Sequence, residues 1–140
     1  MVVYCACPIR GDKKYQKSCI EIIDHIKSLG HTALSEVNEE FKSSMPLTDK
    51  QLFKRDIKWL ERSKLLIAET SGGSTGVGFE VAYTLYSLKK PVLALAAANS
   101  DGVSAMISGC NSDLLTLAKY SNAEELKDII TKFLEKIGED

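Results

Sequence analysis

The chain has 140 residues, 44% of them hydrophobic and 26% charged, with a formal net charge of −1. That length suits one domain, spanning 1–140, able to bury roughly two-thirds of its unfolded surface. The balanced charge argues against a broad nucleic-acid-binding face, and no apolar run approaches the roughly 20 residues of a membrane span.

The opening MVVYCAC lacks the basic lead of a secretory signal. The expected setting is therefore a reducing compartment, the cytoplasm, with the nucleus as the alternative. Residues 2–7 form an apolar run that predicts a buried strand. Ile20, Ile23, Ile26 and Leu29 then recur near helical spacing, with Gly30 as a stop. HTAL (31–34) is a short second strand, and 35–47 is irregular and long enough for a lid or binding loop. Thr48 and Gln51 have capping-box spacing at the start of an amphipathic helix. KLLIAE (64–69) is a third strand, 75–89 a third helix and PVLALAA (91–97) a fourth strand. VSAMISG predicts a helical turn, LLTLAKY a fifth strand, and the segment from Ser121, capping with Glu124, a terminal helix.

Strands alternate with helices, and the strands are continuously apolar. They are expected to be covered on both faces, giving an α/β, single-domain Rossmann/flavodoxin-like three-layer fold with a five-stranded parallel sheet. Ligands of such sheets sit beyond the carboxyl ends of the strands, where strand order reverses. CPIRGD, TSGGSTGVG and NSDGVSAM are the three segments expected to meet there. The four cysteines show no C-x-x-C pair and read as small buried hydrophobes; no metal cluster or cofactor is expected.

TSGGSTGVGFEVA looks suited to an anion. Gly76 and Gly78 free the backbone at a helix start, and Ser74 and Thr75 add hydroxyls. It is neither a Walker loop nor a dinucleotide fingerprint, and a plain capped turn explains it equally well. Asp56 says more. With Leu52 set at zero on a wheel of ~100° per residue, Trp59, Leu60, Phe53 and Ile57 fall between about −20° and +140°. Asp56 falls near +40°, inside that stripe, while Lys54, Arg55, Lys58 and Glu61 take the opposite arc. An unpaired charge in that stripe costs several kcal/mol, so Asp56 is either a structural carboxylate or an ionisable group at a cleft. Glu80 flanks the apolar line Val77, Val81, Leu85 and Leu88, where the helix field is expected to keep it ionised near neutral pH. Two carboxylates at one cleft, one anionic and one drier, suit cleavage of a glycosidic bond.

YCACPIRG, RDIKWLERSKLLIAE, STGVGFEVA and SAMISG, in this order, resemble the nucleoside 2-deoxyribosyltransferase-like family, and within it the 2′-deoxynucleoside 5′-phosphate N-hydrolase branch. The resemblance runs roughly from Val2 to Tyr120. It implies hydrolysis of a deoxynucleoside monophosphate to free base and 2-deoxyribose 5-phosphate. Glu80 matches the family's nucleophile, which forms a covalent glycosyl-enzyme. Asp56 matches the residue assisting the departing base, and Tyr4 the residue positioning the nucleophile. The segment Cys7, Pro8, Ile9, Arg10 and Gly11 matches a phosphate-binding stretch, joined by Ser74, Gly76 and Gly78. Ser104, with Met106 beside it, matches a serine that the family donates across a homodimer interface. The implied partners are a small nucleotide and a second copy of the chain, with no nucleic acid and no membrane.

The pattern departs in places. Pro8 stands where these hydrolases usually carry Ser, and Cys7 where they often carry Gly. Phe79 replaces Tyr, and 36–38 holds no His. A deoxyribosyltransferase, a ribonucleotide N-glycosidase and a non-catalytic nucleotide sensor are the competing readings. Two anions beside a phosphate argue against the sensor. A flavodoxin-like FMN carrier needs a first loop rich in Ser and Thr, which PIRGDKK is not.

Overall fold

The structure is a computed structural model and describes residues 1–8 and 14–139. Five strands, β1 (Val2–Ala6), β2 (Thr32–Leu34), β3 (Leu65–Glu69), β4 (Val92–Ala97) and β5 (Leu115–Tyr120), pair all in parallel in the order β2-β1-β3-β4-β5. The expected fold is therefore the observed one. The chain moves outward from β1 to β2 and returns to place β3 on the other side of β1. The order reverses between β1 and β3, so the carboxyl ends of these two strands frame a crevice.

Alternation along β1 assigns its side chains to two layers. Val3 and Cys5 face α1 (Gln16–Ser28) and α5 (Ala123–Glu139), whose Ile22, Ile26, Leu126 and Ile130 close one core. Tyr4 and Ala6 face α2 (Asp49–Arg62) and α3 (Thr75–Ala82), which supply Trp59, Leu60, Val77 and Val81 to the other. Tyr4 is 4% exposed, so the strand delivers a phenol into the α2–α3 layer.

Some local expectations are corrected. On α1 the buried line is Cys19, Ile22, Ile23 and Ile26, and Ile20 and Leu29 lie outside it. On α2 Phe53 is 56% exposed, because the helix rim opens onto a cavity there rather than onto the sheet. The third helical segment is α-helical only to Ala82 and continues as a π-turn over Tyr83–Ser87, with the Leu88 amide bonded to Tyr83 O. The α5 cap is Asn122, whose Oδ1 accepts the Glu125 amide at 2.9 Å, rather than Ser121. β5 is an outer strand with Thr116, Leu117 and Lys119 exposed, so it is not covered on both faces. The helical segment preceding it, α4 (Ala105–Ser108), is only one turn long.

Candidate active site

The crevice between the β1 and β3 ends opens into a cavity of about 1020 Å³. Its wall includes Cys7, Glu36, Asp56, Ser74, Gly76 and Glu80. α2 supplies Asp56 from inside its apolar stripe, as the wheel predicts, and α3 supplies Glu80 from its second turn. β1 provides the link, since the Tyr4 hydroxyl donates to Glu80 Oε2. The Tyr4 ring packs against Trp59 with centroids 6.4 Å apart, which fixes the direction of its hydroxyl.

Asp56 is gripped by its neighbour. Its Oδ1 accepts from Arg55 Nε at 3.0 Å, and Nη2 lies 2.9 Å from the same oxygen as part of the ion pair. Nη2 also reaches Glu36 Oε2 at 3.2 Å. The guanidinium lies 4.3 Å from the Trp59 ring centroid, in cation–π geometry. Arg55 thus leaves the polar arc expected for it: its flexible stem folds back over the residue one turn on, and its side chain is 16% exposed. Glu36 is held by a turn at the end of β2, where Ser35 Oγ accepts the Val37 amide and Asn38 Nδ2 donates to Ala33 O at 2.7 Å.

These contacts reverse the expected division of charge. Burial pushes the Glu80 carboxyl up to about 7, and the charges of Asp56 and Glu36 push the same way. The Tyr4 hydrogen bond and Arg55 hold it back. Glu80 is the sixth residue of α3, past the turn where a helix field is felt, so that field does not keep it ionised. Burial also raises Asp56, but the Arg55 guanidinium opposes the shift directly. Tyr4 is raised far above the usual phenol range by burial and by the charges of Glu80 and Asp56, so it remains a donor.

The start of α3 forms the cavity's other end. Ser74 caps it, its Oγ accepting the Val77 amide at 3.3 Å. The Gly78 amide closes the first turn on Ser74 O at 3.2 Å. Val77 and Gly78 therefore spend their N–H groups at the helix start, which corrects the expectation that Gly78 joins Gly76 in the anion site. Thr75 and Gly76 line the cavity, and their amides have no acceptor among the described residues. A Cβ added at Gly76 would meet nothing within 4 Å, so this backbone is open to a ligand.

Gly78, Ser104 and Met106 do not meet Asp56 and Glu80. They line a second groove of about 730 Å³ across α3, and Ser74 borders both spaces. Ser104 caps α4 by accepting the Met106 amide at 3.2 Å. Cys7 and Pro8 are buried, and Cys7 lines the main cavity. Ile9, Arg10 and Gly11 lie outside the described residues. Among the described residues no group of three or more His, Cys, Asp or Glu side chains is placed to hold a metal.

Reading the sequence missed Arg55 and Glu36. The signal for Arg55 was its spacing of four from Trp59, which brings a guanidinium over an indole. Glu36 carried no local signal.

The family model for nucleoside 2-deoxyribosyltransferase matches residues 3–115. A Thermofilum pendens relative, provisionally named 2′-deoxynucleoside 5′-phosphate N-hydrolase 1, is 36% identical over 89% of this chain and 89% of its own. A protein from Esox lucius named 5-hydroxymethyl-dUMP N-hydrolase is 25% identical over the whole of both chains. The solved Clostridium botulinum CMP N-glycosidase superposes with a TM-score of 0.67 at 16% identity, covering 94% of this chain and 98% of that one. A 2-deoxyribosyltransferase from Bacillus psychrosaccharolyticus gives 0.64 at 20% identity, covering 90% of each.

Proposed function

Because this chain belongs to the nucleoside 2-deoxyribosyltransferase family, we propose that it hydrolyses the N-glycosidic bond of 2′-deoxynucleoside 5′-monophosphates. The products are the free base and 2-deoxyribose 5-phosphate. One observation carries the reading: Glu80 and Asp56 face a single cavity, with Tyr4 bonded to the first and Arg55 to the second.

Glu80 is the nucleophile. Its carboxylate attacks C1′ as the bond to the base breaks, giving a glycosyl-enzyme that water then hydrolyses. The bonding electrons leave with the base, and Asp56 meets them with a proton. Glu80 and Asp56 share one proton below about pH 7, and the productive arrangement has it on Asp56. Positive charge developing on the sugar favours the Glu80 anion, and so does the Tyr4 hydrogen bond.

The 5′-phosphate is assigned to Ser74 and to the Thr75 and Gly76 amides, and the family resemblance adds Ile9, Arg10 and Gly11 to that assignment. Ser104 acts in a neighbouring site in a homodimer. Met106 is 84% exposed and Tyr86 55%, and both line the second groove, which supports an interface along the π-turn and α4. A free nucleotide, rather than nucleic acid, suits the net charge of −1. Four free thiols suit the cytoplasm. No described helix is long and apolar enough to cross a membrane.

The test is a panel of deoxy- and ribonucleoside monophosphates with chromatography of released bases, for wild type and Glu80→Gln. Base release from deoxynucleotides by wild type, with a loss of about 10³-fold or more in the variant and nucleotide binding retained, supports the reading. Undiminished turnover in the variant rejects it. The family's transferase description keeps a second reading in view, transfer of the sugar to another base. Adding a free acceptor base to the same assay separates the two.

A further inference from the structure

Glu69, the last residue of β3, is 1% exposed and lines neither cavity. Both its oxygens accept from donors. Oε1 takes the Ser71 amide at 2.6 Å, and Oε2 takes the Tyr120 hydroxyl at the end of β5. Ser71 extends the connection. Its Oγ accepts the Ala97 amide at 2.6 Å, and its carbonyl accepts Ser100 Oγ at 2.5 Å. Gly102 crosses that carbonyl so closely that a Cβ there would lie 2.5 Å from the oxygen. Only glycine fits at this crossing without displacing backbone.

Two loops are therefore tied at one buried point. The loop after β3 runs from Thr70 through Ser71 and two glycines to Ser74 and α3. The loop after β4 runs through Ser100 and Gly102 to Ser104 and α4. Ser71 is tied down three residues before Ser74, so the anchor limits where the helix can start, even though Gly72 and Gly73 between them add little stiffness. The point also adjoins the cavity: Ala6 of β1 pairs with Ala68 of β3, and the next residues along the two strands are Cys7, in the cavity wall, and Glu69.

We infer that Glu69, Ser71 and Tyr120 form a positioning node for the phosphate subsite, holding the Ser74–Gly76 backbone in register with the cavity that contains Glu80. This rests on the assignment of Ser74, Thr75 and Gly76 to the 5′-phosphate. Glu69 touches no substrate. It acts through Ser71, and its effect falls on phosphate affinity and not on the bond-breaking step. A carboxylate suits the place because both partners are donors; an amide would oppose one of them with an N–H.

Tyr120→Phe tests this, because it keeps the ring and removes one arm of the node. Ser100→Ala removes another arm at a partly exposed position and is the second variant. For each, KM for a deoxynucleoside monophosphate should rise about tenfold with kcat within about twofold. Stabilisation against heat by inorganic phosphate should weaken by a similar factor in apparent affinity. Inhibition by the free deoxynucleoside should not change. Equal weakening for phosphate and nucleoside, or a fall in kcat at constant KM, overturns the node. A wild type that releases no base but is stabilised by phosphate, with that stabilisation weakened in both variants, sinks the proposed activity and keeps the node. A wild type that releases base, with both variants matching it, sinks the node alone.

Discussion

Tyr4 donates its hydroxyl to Glu80, joining a residue of the first strand to one 76 positions later in the chain. The bond lowers the carboxyl's pKa against the effect of burial. Tyr4→Phe keeps the ring against Trp59 and removes only the donor. Glu80 then holds its proton to higher pH and loses its orientation. The expected result is a fall in kcat of about 10–100-fold, with stability changed by no more than about 1 kcal/mol. Steady-state kinetics and thermal melts on the same preparation check both parts.

A shared proton makes the pH profile diagnostic. In wild type, kcat/KM should fall about tenfold per unit above about pH 7, as the last proton leaves Asp56 and Glu80. Asp56→Asn removes the proposed proton donor and should cost about 10²–10⁴ in rate. Its residual activity depends on the Glu80 anion alone, and loss of the Asp56 charge lets Glu80 ionise earlier, so it should climb with pH to a plateau below the range where wild type declines. Parallel profiles for the two proteins would show that Asp56 carries no proton to the base.

Glu80 also sets a pH dependence of stability. It ionises near 4.5 when exposed and near 7 in the folded chain. Between those values the folded state binds the extra proton, so stability falls as pH rises through the window and the full penalty holds above 7. Glu80→Gln removes the penalty and preserves an acceptor for Tyr4. The variant should be more stable than wild type by about 1–3 kcal/mol at pH 8, with the gain gone by pH 4.5. Urea unfolding at the two pH values measures it. An inactive variant that is more stable than its parent would show that the carboxylate is kept there at a cost to the fold.

The sequence made the sheet, the helix layers and the place of the crevice legible because those follow from local pattern. Thr48 and Gln51 do form a reciprocal capping box, since the residues involved are three apart and need no tertiary help. Asp56 was legible because a charge inside an apolar stripe has few explanations. Arg55 was not, because a wheel assigns Cα directions and a long side chain can fold back across them. Glu36 depends on Asn38 bonding to Ala33 O, a loop geometry that no period encodes. The protonation of Glu80 was misjudged for a related reason. Helix position is written in the chain, but burial by α2, β1 and the β2 loop is not. The exposure of β5 likewise depends on strand order, which local pattern does not specify.

Arg55 offers the last prediction, because three of its contacts can be separated. It grips Asp56, reaches Glu36, and lies over Trp59, while its Nη1 is buried without a hydrogen-bond partner among the described residues. Arg55→Met keeps an apolar stem over the indole and removes the charge. Asp56, 15% exposed, then loses the cation that opposes its rise in pKa. Leaving a mostly buried carboxylate without its partner should cost about 2–4 kcal/mol at pH 8, and less as the pH is lowered and Asp56 takes up a proton. Adding Asp56→Asn should recover part of the loss, with a coupling of about 1–3 kcal/mol in the double-mutant cycle. Arg55→Lys keeps a charge but cannot span Asp56 and Glu36 with a planar fork of N–H groups, so it should preserve most of the stability and still lower kcat. If the Met and Lys variants lose activity in proportion to stability alone, Arg55 is a packing residue and its grip on Asp56 has no part in the chemistry.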